Sequence, residues 1–419
     1  MRPERLLRLS SVALALAVVG GCGGGADSSS LVEPKNVFPD VDGSDAALED
    51  VSPPPAHATE CDLELILSGS KTHYIKEEGE TVQFVDIVPG ETSFLVISQT
   101  MRADATSGSG DCERLMDYGF LFHGGGLGFY ALDGESGLLG AALAWDDASN
   151  SALLVQSFRH SEHHSPQLWL VRFDETCSVL DYPMPKLPAD YALAPRKAVA
   201  RSALRPGTFV IAGRMEEHLE KHTLDDASFD PDATPVDAFP GASYAMVAAS
   251  PSMEATLAAG STPGVTLTLE APSMSVTTTD PERVAPFADL AVWDTRAFVV
   301  FPTPAGIHSW FTDGGSGLVA EQDLASPNYA SLAAARLRDH VFVVGGTPEK
   351  IEIHRFDGAG SVSLDLSLAL SRELSTGSGV DALAGFDGTK VAVAAARERV
   401  VAAWPNAVGY GWAVLECAQ

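Results

Sequence analysis

The chain has 419 residues, carries 56 acidic against 27 basic side chains, and has a formal net charge of −29. That balance excludes nucleic acid as a partner, because phosphate contacts need clustered Lys and Arg, and it opposes adsorption to anionic lipid. The excess charge chiefly favours solubility, and the 45% hydrophobic share is enough to build a core.

In chain order, the first element is a signal segment over residues 1–21. Arg2, Arg5 and Arg8 give a positive start, and Leu9 to Val19 is a short apolar run. That run falls short of the ~20 apolar residues needed to span a bilayer. Then come Val19, Gly20, Gly21 and Cys22. This pattern resembles the lipobox of bacterial lipoproteins, an aliphatic residue and a small pair before a cysteine. The resemblance implies that Cys22 carries a diacylglycerol, that cleavage leaves it as the first residue, and that the palmitate-type chains anchor the protein to a membrane. Cleavage would remove three Arg and one Glu and leave a charge of −31.

Residues 22–60 read as a flexible acidic tether, with Gly23–Gly25 and Ser28–Ser30 supple and Pro53–Pro55 stiff. Asp40-Val-Asp42-Gly43-Ser44-Asp45 has some character of a calcium loop but lacks its twelfth-position carboxylate and its glycine placement, so it reads as solvated linker. Four cysteines follow: Cys61, Cys112, Cys177 and Cys417. An even number in an exported protein permits two disulfides, and none has the Cys-x-x-Cys spacing of a zinc or redox site.

From residue 61 to 419 the chain repeats. Phe298–Phe301, a turn and Ile307–Phe311 are echoed by Val341–Val344 with Ile351–Phe356 and by Val391–Ala394 with Val400–Trp404. Earlier copies hold Leu153–Val155 with Leu168–Phe173, Phe209–Ala212, and Ala255–Ala258 with Val265–Leu269. Each copy pairs a nearly all-apolar strand with an alternating one, the gradient a radially packed sheet requires. Innermost strands are expected near residues 82, 138, 196, 242, 287, 329 and 380. That period of roughly 44 to 58 residues is close to a four-stranded blade. The pattern resembles a seven-bladed β-propeller, an all-β fold. A β-sandwich array, or a ring of six or eight blades, fits the same pattern.

A ring must join its ends or leave two strand edges open. Gly411–Leu415 reads as the third strand of the last blade, and Asp62–Leu67 as its outer strand. Cys417 then lies beside Cys61, which predicts a Cys61–Cys417 disulfide and leaves Cys112 to pair with Cys177.

Candidate chemistry is sparse. His160, His163 and His164 fall in a turn of one unit, and Glu216, Glu217, His218 and His222 in the equivalent turn of the next. Imidazole and carboxylate there suit zinc or another transition metal. Asp225, Asp226, Asp230, Asp232 and Asp237 form an acidic cluster without a calcium-loop template. His123-Gly124-Gly125-Gly126 matches an esterase oxyanion loop, but no Gly-x-Ser-x-Gly elbow accompanies it, so it reads as a turn between Phe120–Phe122 and Phe129–Leu132. Trp145, Trp169, Trp293, Trp310, Trp404 and Trp412 recur at strand positions as blade-packing residues.

No catalytic residue set and no cofactor is expected. The reading is a lipid-anchored cell-envelope binding or scaffold protein, at the outer membrane or cell surface, with an envelope protein or glycan as partner. The alternatives are a hydrolase or lyase acting on an envelope or extracellular polymer, and a subunit of an envelope complex. Convergent His, Asp, Glu or Arg at the channel mouth would favour an enzyme.

Overall fold

The computed structural model describes residues 61–72, 80–102, 108–116, 119–127, 137–159, 166–181, 191–194, 196–202, 204–215, 218–225, 232–236, 238, 240–285, 287–313, 317–357, 362–364, 383, 385–407 and 409–418. These belong to one compact unit, Pro55–Gln419. The signal segment, Cys22 and the tether lie outside the described residues.

All regular structure among the described residues is antiparallel β-sheet. The first strand, β1 (Asp62–Thr72), is held back for the end of the chain. Blade 1 then holds β2 (Glu80–Pro89), β3 (Phe94–Arg102), β4 (Gly108–Met116) and β5 (Gly119–Leu127). Blade 2 holds β6 (Gly137–Asp146), β7 (Ser151–Arg159), β8 (Pro166–Asp174) and β9 (Val179–Asp181). In blade 3 the innermost strand is broken into β10 (Tyr191–Leu193) and β11 (Val199–Arg201), followed by β12 (Thr208–Met215), β13 (His218–Asp225) and β14 (Asp232–Pro235). Blade 4 holds β15 (Tyr244–Ala249), β16 (Glu254–Ala259), β17 (Val265–Ala271) and β18 (Met274–Asp280). Blade 5 holds β19 (Asp289–Trp293), β20 (Arg296–Thr303), β21 (Gly306–Asp313) and β22 (Gly317–Ala325). Blade 6 holds β23 (Ser331–Leu337), β24 (His340–Thr347), β25 (Lys350–Phe356) and β26 (Val362–Leu364). Blade 7 holds β27 (Ala392–Ala396), β28 (Arg399–Pro405) and β29 (Gly409–Ala418), and β1 completes it as the outer strand.

Each innermost strand contacts those of the two neighbouring blades, from β2 through β6, β11, β15, β19, β23 and β27 back to β2. The molecule is therefore a closed seven-bladed β-propeller. The burial gradient follows from this geometry. The second strand of blade 4 is buried along its whole length, while its outer strand alternates half-buried and exposed residues. Ring closure follows the predicted route: β1 pairs antiparallel with β29, and the Cys61–Cys417 disulfide bridges them with Cα atoms 4.8 Å apart. The second disulfide, Cys112–Cys177, ties β4 of blade 1 to the turn before β9 of blade 2.

Two expectations about the strands need correction. Val391–Ala394 lies at the innermost strand of blade 7 and Val400–Trp404 in its second strand, one strand earlier than in the copies they were aligned with. The innermost strand thus starts at Ala392, not near 380, because an apolar run alone does not distinguish a first strand from a second. His123–Gly126 is not a turn: it lies within β5, where Gly125 pairs with Cys112 and Gly126 with Asp111.

The two faces of the disc differ. On the face where each first strand turns into its second, some connections are very tight. Arg397 and Glu398 form a two-residue turn with φ of 48° and 64°, the conformation that matches strand twist in such hairpins. A side-chain contact locks each of the seven junctions between neighbouring blades at this face. Between blades 1 and 2, Glu175 accepts hydrogen bonds from Thr92 N (2.6 Å), Thr92 Oγ1 (3.0 Å) and Ser93 Oγ (2.8 Å). Burial pushes the Glu175 carboxyl up, but these bonds and the Arg114 charge outweigh it and hold its pKa below the ordinary value.

The remaining junctions use other chemistry. Arg201 pairs with Asp146 at 3.1 Å between blades 2 and 3. Glu254 accepts from Ser202 Oγ and from Leu204 N between blades 3 and 4. Ser250 Oγ donates to Asp294 O (2.6 Å) between blades 4 and 5. The Arg336 guanidinium lies 5.8 Å from the Trp293 ring centroid between blades 5 and 6. Arg338 pairs with Glu398 between blades 6 and 7. Arg397 closes the circle by donating to Gly90 O and Glu91 O and lying over the Phe94 ring.

Candidate functional site at the channel mouth

The opposite face, where each first strand begins, carries two cavities. One of about 310 Å³ opens at the mouth of the central channel, and a second of about 290 Å³ lies beside it between blades 7 and 1. Thr389 and Lys390 line both. The first is within the size range of small-ligand pockets. Its wall is mostly apolar, with Val85, Phe287, Ala333 and Val393 among its residues, and five charged side chains line it: Asp86, Arg196, Lys197, Asp289 and Lys390.

Blade 3 supplies two of the cations because its innermost strand is interrupted. The sequence at the break is Ala194-Pro195-Arg196-Lys197, and a proline has no N–H to give a ladder. Lys197 adopts a left-handed backbone there, with φ of 45°. From that break both basic side chains cross the channel. Arg196 Nη1 donates to Leu332 O in blade 6. Lys197 Nζ donates to Leu290 O (2.6 Å) in blade 5 and Ala334 O (2.7 Å) in blade 6, and pairs with Asp289 at 2.8 Å.

The two aspartates occupy matching positions in blades 1 and 5. Asp86 accepts from its own neighbour Ile87 N (2.9 Å) and from Leu143 N (3.2 Å) in the next blade. Asp289 accepts from Leu290 N (2.7 Å) and from Ala334 N (2.7 Å) in the next blade. In each case one carboxylate stitches two adjacent innermost strands together. Val247 N makes the equivalent junction between blades 3 and 4 by donating to Lys197 O (2.7 Å).

The charges here are shaped by burial. Desolvation raises the Asp86 carboxyl to about 6, against the lowering effects of the Ile87 N–H, Lys197 and Arg196. Burial lowers the Lys390 amine, partly offset by Asp387. An aspartate whose folded pKa is raised holds its proton more tightly when folded, so its contribution to stability falls as pH rises from about 4 through about 6. Urea unfolding of the wild-type protein and Asp86→Asn should show this. The variant is expected to gain on the order of 2 kcal/mol relative to wild type between pH 4.5 and pH 7. A difference that does not change with pH would refute the raised pKa.

The residues singled out in the sequence lie elsewhere. His218 and His222 are not in a turn but in β13, which begins at His218. His218 is exposed, whereas His222 is buried, 3.3 Å from Glu220 and edge-on to the Tyr191 ring, and burial lowers its pKa. His160, His163, His164, Glu216 and Glu217 lie outside the described residues, as do Asp226, Asp230 and Asp237. Among the described residues no group of three His, Cys, Asp or Glu side chains is placed to hold a metal. Trp293, Trp310, Trp404 and Trp412 are buried as blade-packing residues, Trp145 is half-buried, and Trp169 is exposed.

A blade-packing motif was also missed. Gly213 pairs with Glu220 and Ile211 with His222 in blade 3, and Gly345 pairs with Glu352 and Val343 with His354 in blade 6. A tyrosine ring covers each glycine so closely that a Cβ would lie 2.4 Å from Tyr191 or 2.6 Å from Tyr329. Glu-x-His two strands after a Tyr was the readable signal.

No family model and no curated protein matches this chain. Solved structures similar to it include AofleA from Arthrobotrys oligospora, at 15% identity over 74% of this chain and 90% of that one, with a TM-score of 0.45. The SapL1 lectin in complex with α-methyl fucoside matches at 13% identity over 69% and 97%, with a TM-score of 0.43. The Aleuria aurantia lectin, described as a six-bladed β-propeller with a novel fucose recognition mode, matches at 11% identity over 58% and 79%, with a TM-score of 0.40. At these values the likeness carries no argument about a ligand.

Proposed function

We propose that this chain is a lipid-anchored cell-envelope binding protein whose ligand seat is the channel mouth of the propeller. The observation that carries the reading is the five-charge cavity at the start of the innermost strands. Both carboxylates there accept backbone N–H groups on both oxygens, and Lys197 is committed to two carbonyls and Asp289. Groups engaged in this way hold a rigid, charged wall, which suits recognition better than proton transfer. The lipobox at Cys22 supports anchoring, and the acidic tether supports a disc held away from the surface, at the outer membrane or cell surface. An envelope protein or a glycan is the expected partner of the disc's outer surfaces, apart from the ligand of that seat.

The convergence of Asp and Arg at the mouth is also what a polymer-acting hydrolase or lyase would need, and it keeps that second reading in view. Photo-crosslinking in intact cells from a benzoylphenylalanine at Phe287, which is 45% exposed at the cavity, separates the two. A bound species trapped unchanged supports binding; a trapped species cleaved over time supports the enzyme; no species at all sinks the channel-mouth seat. Cys22→Ala is expected to move the protein from the membrane to the soluble fraction.

A further inference from the structure

Within the binding reading, on which this inference rests, we infer that the channel mouth takes a small organic acid, with its carboxylate on Arg196 and its apolar body against Phe287 and the neighbouring aliphatic wall. The charges at the mouth divide unequally. Lys197 and Asp289 form an ion pair at 2.8 Å, and the three donors of the Lys197 amine are used on Leu290 O, Ala334 O and Asp289. Arg196 is not part of that pair. Its hydrogen bond among the described residues is a single one, from Nη1 to a backbone carbonyl, and a guanidinium has five N–H donors in a planar fork suited to a carboxylate.

Lys390 lines the same cavity as a further cation. Against Arg196 and Lys390 stand two carboxylates: Asp86, whose oxygens face backbone N–H groups of β2 and β6, and Asp387, which offsets the Lys390 amine from the adjoining cavity. What suits one anionic group is therefore the Arg196 fork and not a surplus of charge. Most of the remaining wall is apolar: Phe84, Val85, Ala141, Phe287, Ala333 and Val393. A polyol or a polyphosphate would leave either that wall or its own extra charges unmatched.

The test is isothermal titration of the full mature protein with matched probes: 4-phenylbutyrate and octanoate, their primary amides, and glucuronate. The acids should bind at least about tenfold more tightly than their amides, the value of one charge-assisted contact. Arg196→Gln should reduce that preference to about twofold or less, and Arg196→Lys should retain part of it, with circular dichroism confirming that each variant is folded. Amides that bind as well as acids, or a preference that survives Arg196→Gln in a folded variant, would overturn the carboxylate assignment while leaving a binding cavity. Glucuronate bound in place of the apolar acids would overturn the apolar body. Absence of binding by every probe, together with no crosslink from position 287, would remove the seat itself.

Discussion

Replacing Asp289 with alanine is expected to destabilise the propeller by about 2–4 kcal/mol, chiefly the cost of leaving two buried backbone N–H groups without acceptors, with a smaller share from the half-buried Lys197. Asp289 is 1% exposed and accepts three hydrogen-bonding groups: Leu290 N, Ala334 N and the Lys197 amine. Its removal leaves two backbone N–H groups without acceptors and Lys197 without its counter-charge in the channel. Against the 5–15 kcal/mol typical of whole domains, that is a large fraction. Lys197→Met should cost less, because Asp289 keeps both backbone donors. The double variant should be more stable than Asp289→Ala alone, which urea titration of the four proteins would show as a coupling energy. Strictly additive effects would mean that the pair contributes nothing through its contact.

The second large effect concerns closure. Changing Cys61 and Cys417 together to serine is expected to cost about 3–5 kcal/mol, because the crosslink spans 356 residues and restricts the unfolded chain nearly end to end. The Cys112–Cys177 bridge spans 65 residues. Since loop entropy grows only with the logarithm of length, the chain-entropy difference between the two bridges is about 1.5 kcal/mol. Non-reducing urea titration of both double-serine variants measures this difference, and hydrogen exchange should show protection falling first in β1. A greater loss from the shorter bridge would contradict the closure account.

Much of the architecture was legible because it depends on local pattern. Alternation, turn residues and a recurring apolar strand located the first six innermost strands near their observed starts. Cysteines at both ends of the repeat pointed to the seam. The last blade was misregistered because Val391–Ala394 and Val341–Val344 are equally apolar, and hydrophobicity does not report a strand's distance from the axis.

The site was not legible for a different reason. Asp86, Arg196, Asp289 and Lys390 come from four blades and converge only once the ring closes. Asp86 and Asp289 are each a lone charge within an apolar strand, and Arg196 and Lys390 lie just before one, which reads as an interruption when seen alone. Val85-Asp86-Ile87 and Ala288-Asp289-Leu290 are the same interruption in two repeats, and their coincidence at one position was the available clue. The histidines drew attention because of their chemistry, but histidine identity says nothing about which face or depth a strand gives it.

The seven locks on the opposite face carry a consequence for how such a ring can change. The seams draw on several chemistries, two of which recur: a carboxylate taking hydroxyls, an arginine–carboxylate pair, an arginine on an indole, a hydroxyl on a carbonyl. A seam therefore needs a partner group at one position of the neighbouring blade. Insert a copied blade, and Asp146 or Glu398 would meet a surface without its arginine. A tandem copy of a blade would add one seam without its matched partner, and loss of a blade would leave one such seam in place of two, so a change in blade number leaves the ring with a junction that is not locked.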